Sequence, residues 1–280
     1  MAAASTRPTA LRARRAIPGF GASLGVTLLW LGLIVLVPLA ALAARPWELG
    51  VAGVLRSLAE PRVLAALRLS FLASLAAAAA NLPVGLLLAW VLVRYRFPGR
   101  RLLDGAIDLP FALPTAVAGL ALTALYAPEG WLGAPLGVLG IKVAYTPLGV
   151  GIAMLFVGLP FVVRSVEPVL RDLPREAEEA AATLGATRVQ TLARVVLPAL
   201  APALLAGFAM AFARGLGEYG SVIFIAGNMP MVSEIAPLLI TIRLEQYDYA
   251  GAAAVGLAML LLAFLILLLL NWLQRRGRAA

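Results

Sequence analysis

Six long apolar runs limit what this chain can fold into. They cover about residues 20–44, 67–93, 104–127, 145–166, 195–216 and 250–272. Each reaches or nears the ~20 residues that a helix needs to cross a bilayer core. Within hydrocarbon the backbone must satisfy its own hydrogen bonds, so runs of this length are expected to be helices. The expected fold is all-α with six transmembrane helices and no soluble domain of its own. Expected boundaries are an N-terminal tail over 1–18, a membrane domain over 19–273 with a long polar loop at about 167–194, and a C-terminal tail over 274–280. Residues 45–63, with Pro46, Trp47 and Pro61, read as a loop with an interfacial aromatic. Residues 128–144 are broken by Gly and Pro and suit a short surface or re-entrant piece. Residues 217–249 are too broken to cross alone.

Composition narrows the function. The chain is 62% hydrophobic and 13% charged, against roughly half and a quarter in a soluble domain. Cys and His are both absent, which removes thiol chemistry, the commonest metal ligand and the commonest general base. A net charge of +9 would suggest nucleic acid if it lay in one patch. It is instead spread by side: 16 basic residues fall in the two tails and the 94–101 and 164–194 segments, and five in the opposite loops. The positive-inside rule puts both termini and the 167–194 loop in the cytoplasm and makes nucleic acid an unsuitable partner. Membrane lipid is the expected surrounding.

One polar stretch stands apart, residues 174–198, PREAEEAAATLGATRVQTLARVVLP. Pro174 suits a first helical turn, and Glu176, Glu178 and Glu179 follow where a helix N-terminus favours negative charge. Ala177, Ala180, Ala181 and Leu184 share a face made of small residues, which lets another surface come close. Gly185 ends this helix, and Thr187 with Gln190 fits a capping box that opens a second. The spacing is Glu179-Ala180-Ala181, three residues, Gly185, nine residues, then Val195-Val196-Leu197-Pro198. It resembles the cytoplasmic "EAA" signature of binding-protein-dependent ABC importer permeases, with Val195 in place of the usual Ile.

Three further runs refine the resemblance: Ile17-Pro18-Gly19-Phe20-Gly21, LGEYGSVIFIAGNMPMVSEIAPLLI from Leu216, and LEQYDYAGA at 244–252. From about residue 18 to 272 the chain is similar to the permease of sulfate/thiosulfate ABC importers, T-subunit type. Molybdate permeases share the Gly217-Glu218 context but usually carry Phe where Tyr219 stands. The resemblance implies a type I importer permease fold with a cytoplasmic coupling helix and residence in a bacterial inner membrane. It also implies three kinds of partner: a homologous W-type permease subunit, two cytoplasmic ABC ATPase subunits and an extracytoplasmic sulfate-binding protein. A molybdate, tungstate or other oxyanion permease is the alternative. A membrane enzyme or assembly factor is a remoter one, for which no catalytic constellation is visible.

Candidate residues follow. Glu179, Ala180, Ala181, Leu184, Gly185 and Pro198 are expected to couple the spans to an ATPase. The sequence holds no G-x-x-x-x-G-K-S/T loop, and its single lysine, Lys142, follows Gly140-Ile141. ATP is therefore expected on a partner, with no cofactor in this chain. Arg214 and Glu218 lie four apart, so on a helix they share a face and can pair. They read either as a structural pair or as a gate lining the anion path. Asp108, near Pro110 and Pro114, reads as an interfacial carboxylate at a broken start of the third run. Asn81 reads as a hydrogen-bonding link between helices. The topology has a direct test: cysteines introduced at Arg100 and Glu129 should react with an impermeant reagent from opposite sides of the membrane. Reaction of both from one side would contradict it.

Overall fold

The computed structural model describes residues 20–277. Residues 1–19, which include the expected 1–18 tail, and residues 278–280 lie outside the described residues. The chain divides into two compact units after Ala44. The first holds α1 (Phe20–Leu31), a π turn at Gly32–Leu36 and α2 (Val37–Ala44). It is mostly apolar, with large side chains such as Leu28, Trp30 and Leu33 exposed, as suits a helix surrounded by lipid.

The second unit opens with a 3₁₀ turn at Arg45–Leu49, α3 (Gly50–Ala59) and α4 (Pro61–Arg94). The expected 45–63 loop is thus mostly helical. Pro61 does not break the chain: it occupies the first turn of α4, where its missing N–H is not needed. Trp47 is exposed. After Tyr95, Pro98 blocks helix continuation, and Gly99 turns the chain at a φ of 87°.

The third apolar run does not cross as one helix. It forms α5 (Arg100–Ile107), α6 (Leu109–Ala112) and α7 (Thr115–Tyr126). Leu113 is extended at ψ 137° because Pro114 follows it. The 12 residues of α7 rise about 18 Å, short of a bilayer core near 30 Å. Among the described residues five helices are long and apolar enough to cross a membrane, and α7 is a shorter apolar one.

The remaining elements are α8 (Gly133–Val138), α9 (Pro147–Asp172), α10 (Arg175–Thr183), α11 (Arg188–Thr191), a π turn at Leu192–Val196 and α12 (Leu197–Leu216). They are followed by α13 (Val222–Ile225), α14 (Ala236–Glu245) and α15 (Tyr249–Gly277). From Arg188 to Leu216 the helix is continuous.

The core is a three-helix contact of α4, α9 and α12, built from Leu92, Val162, Val166, Leu170, Leu200 and Phe212. Small residues allow it. A Cβ at Gly207 would lie 2.9 Å from the Cα of Val162, and one at Gly85 would lie 2.9 Å from the Val162 Cβ. Glycines at such crossings bring helices together where hydrophobic exclusion from water gives no help. Beside Gly158, buried Asn81 donates to the Leu155 carbonyl at 3.0 Å, the interhelical link expected of it. A second cluster joins Val150 and Met154 of α9 to Val222, Ile225 and Ile235.

At the far end of α4 a buried carboxylate holds the α13–α14 loop. Arg62 donates to both oxygens of Glu234 at 2.8 and 2.7 Å. The Ala236 N–H at the start of α14 donates to the Ser70 hydroxyl at 2.8 Å, which supplies a helix-end partner from another helix. Arg243 binds Ser57 and Glu60, at 2.6 and 2.7 Å, and so fastens α14 to α3.

Glycine packing predicts a paired outcome. Gly207→Ala must push α12 away from the α9 backbone and should cost about 1–3 kcal/mol, the usual penalty of overpacking. Gly151→Ala meets nothing within 4 Å and should be neutral or stabilising. Thermal melting of the two variants in detergent checks this, and equal melting temperatures would contradict it.

Candidate functional site: the α10–α11 segment and the Arg214–Glu218 pair

The segment between α9 and α12 is built from local rules. Leu173 is extended because Pro174 follows, and Pro174 sits at the N-cap of α10, one position before the first turn expected for it. Glu176 and Glu178 lie in the first turn, where they oppose the helix dipole. At the other end the Ala186 N–H donates to the Ala181 carbonyl and the Gly185 N–H to the Ala182 carbonyl, both at 3.0 Å. These bonds form a Schellman closure with Gly185 at a φ of 80°. A capping box begins immediately after it. The Thr187 N–H donates to Gln190 Oε1 at 2.8 Å, and the Gln190 N–H donates to Thr187 Oγ1 at 3.3 Å. Two residues, Gly185 and Ala186, therefore make the whole bend. Further on, the Leu197 N–H reaches back to the Leu192 carbonyl in the π turn, and Pro198, which has no N–H, follows.

Glu179, Ala180, Leu184 and Gly185 are exposed together at the outer side of this bend. Leu184 is 88% exposed and Val189 of α11 is 74% exposed, so the protruding surface is apolar as well as small. Ala177 and Ala181 are half-buried and turn toward the rest of the chain. The small face expected over Ala177, Ala180, Ala181 and Leu184 is thus divided between an outer and an inner side. Pro198 is exposed at the first turn of α12 and belongs to the helix rather than to the bend.

One long-range ion pair ties the segment to α4, and other pairs brace the neighbouring α9. Arg94 at the end of α4 pairs with Glu178 of α10 and lies 5.7 Å from the Trp90 ring centroid. Arg164 of α9 donates to both Asp108 oxygens at 2.9 and 2.6 Å and to Glu167 at 2.6 Å. Arg171 adds a 2.6 Å bond to Glu167. Asp108 is therefore a tether between the broken third run and α9 as well as a half-exposed carboxylate. Sequence reasoning did not find these partners. The Arg94 and Glu178 side chains are 84 residues apart, and nothing local marks the pairing.

Arg214 and Glu218 are paired, as the spacing suggested. Glu218 is buried, and its second oxygen accepts from both the Ser221 N–H and the Ser221 hydroxyl at 2.8 Å. Its acceptor capacity is spent on protein groups that shape the turn after α12. Arg214 is one-third exposed along its side chain. Gly217 ends α12 at an ordinary negative φ. Among the described residues no group of three or more acidic side chains could hold a metal ion.

Residues 81–279 match the family described as binding-protein-dependent transport system inner membrane component. The chain belongs to that family. It is 50% identical over 267 residues to the sulfate transport system permease protein CysT of Salmonella typhimurium, covering 95% of this chain and 96% of that protein. Its identity to the corresponding Synechocystis protein is 47% over 253 residues, or 90% of this chain and 88% of the relative. Among solved structures, a bacterial alginate ABC transporter in complex with an alginate pentasaccharide-bound periplasmic protein superposes with a TM-score of 0.75 at 18% identity. That match covers 92% of this chain and 94% of the other, and it establishes the type I importer permease fold. This chain is a transport permease and not an enzyme.

The pairing in the permease gives an asymmetric prediction. Arg214→Ala strands a buried carboxylate, which should cost about 3–5 kcal/mol and sharply reduce folded protein. Glu218→Ala should cost less, because Arg214 can turn to water. The double variant should recover much of the Arg214→Ala loss. Size-exclusion yield of the three variants checks the order, and no recovery in the double variant would contradict a structural pair.

Proposed function

We propose that this permease is the membrane-spanning subunit of an ATP-driven importer for sulfate or thiosulfate. The observation that carries the reading is the 50% identity to a sulfate transport permease across nearly the whole of both chains. The companion subunits are a homologous W-type permease, two cytoplasmic ABC ATPase subunits that bind the ATP, and an extracytoplasmic sulfate-binding protein. The 1–18 and 274–280 tails and the 167–194 loop face the cytoplasm of a bacterial cell. The arginine distribution supports that orientation.

In this reading the outer side of the α10–α11 bend, with Glu179, Ala180, Leu184 and Gly185, receives the ATPase. Closure of the ATPase pair on ATP pushes the bend. The segment is a poor hinge, since a Schellman closure abuts a capping box and the Arg94–Glu178 pair ties α10 to α4. The push therefore passes into α9 and α12, the two core helices it joins, and the bundle tilts as a unit. This is alternating access by rigid-body rocking. Arg214 and Glu218 shape the exit of α12 in this scheme, with transport chemistry left to the cavity between the two permeases.

Gly185 provides the test. A Cβ there meets nothing within 4 Å, so only its φ of 80° opposes substitution. Gly185→Val should insert normally, lose the ATPase in pull-downs and abolish uptake of labelled sulfate, since the left-handed conformation costs a branched residue about 1–2 kcal/mol or more. Gly185→Asn should retain much of both activities, because Asn tolerates that conformation. Wild-type association and uptake in Gly185→Val would exclude the bend as the coupling element. Preference for labelled molybdate over sulfate in the reconstituted wild-type complex would overturn the substrate.

A further inference from the structure

The inner side of the same segment borders a groove. Its volume is about 690 Å³. Leu86, Leu87 and Trp90 of α4 line it, together with Leu192 and Val196 of the π turn. These α4 residues lie in a helix long and apolar enough to span a membrane, which would place hydrocarbon beside the groove. Leu87 is 62% exposed although it is apolar. The polar end of the groove is formed by Tyr95, Glu178 and Arg188. Glu178 is already taken by Arg94, whereas Arg188 has no acidic partner among the described residues. The groove is thus an apolar trough that ends at an aromatic boundary and one uncompensated cation.

We propose that this groove binds one anionic phospholipid, with an acyl chain along Leu86, Leu87 and Leu192 and the phosphate beside Arg188. Phospholipid surrounds every span at this depth, and it supplies the apolar and anionic halves in one molecule. A basic pocket between membrane helices is a physical match for an anionic head group. A helix of the companion permease could fill the apolar part, but it would also have to bring its own acid to Arg188. The proposal rests on the topology above only for the leaflet, which is the cytoplasmic one. Its ligand chemistry is independent of what the importer carries.

Native mass spectrometry of the intact complex in mild detergent tests it, with phosphatidylglycerol and phosphatidylcholine of identical acyl chains added separately. The wild type should retain phosphatidylglycerol in preference. Arg188→Gln should reduce that preference about fivefold, the factor that one basic side chain contributes at an anionic lipid surface. Leu87→Trp should fill the trough and lower retention of both lipids. A photoreactive residue at Leu87 should cross-link to lipid. Equal retention of the two lipids by the wild type, or an unchanged preference in Arg188→Gln, would overturn the proposal. So would cross-linking of Leu87 to the companion permease. Displacement of phosphatidylglycerol by inorganic phosphate at equal concentration would reassign the site to a free anion. None of these readouts requires transport, so failure here is separate from failure of sulfate uptake.

Discussion

Where α12 crosses α9, the two backbones lie so close that one added methyl at Gly207 would overlap the Cα of Val162. Lipid gives apolar side chains no reason to leave it, so association of these spans depends on such close contact and on a few internal polar links. Gly85, Gly158 and Gly207 all lie at crossings of α4, α9 and α12, and Asn81 bonds across one of them. Further elements of the second unit attach to this trio. The pieces of the broken third run hold on through Asp108 and Arg164, and α14 through Ser70 and Glu234.

In the proposed mechanism the trio is also what a short polar segment acts on. The α10–α11 segment is the connection between two of its three members, and Arg94–Glu178 joins it to the third. Tight packing has low compressibility and transmits strain, so in the proposed mechanism a displacement at the segment would tilt the trio instead of dissipating within it. An exposed Leu184 and Val189 on the outer side would be a liability in an isolated protein. They fit a surface that is covered in an assembly.

The features legible in sequence were those set by neighbours in the chain. Gly185 with positive φ, the Thr187–Gln190 capping box and the Arg214–Glu218 spacing each follow from contacts within five residues. The third run was harder. Its composition is apolar enough to read as a full span, yet Pro114 forces Leu113 out of helix and Asp108 finds its partner 56 residues away on α9. The 45–63 region departs from the expected loop for the converse reason. Prolines that look like breakers can occupy first-turn positions, as Pro61 does. Pairings such as Arg62–Glu234, at a separation of 172 residues, leave no local signal at all.

The central claim is that the α10–α11 segment moves with the helix trio and not against it. Because the chain has no cysteine, a single pair of introduced cysteines can carry spin labels, one at exposed Arg175 of α10 and one at exposed Ala80 of α4. Pulsed electron paramagnetic resonance on the assembled transporter, with and without ATP, then reads the distance between them. Rigid coupling predicts an unchanged Arg175–Ala80 distance while the distance from Arg175 to a label on the companion permease shifts. A changed Arg175–Ala80 distance on ATP binding, with the distance between the two permeases fixed, would contradict it.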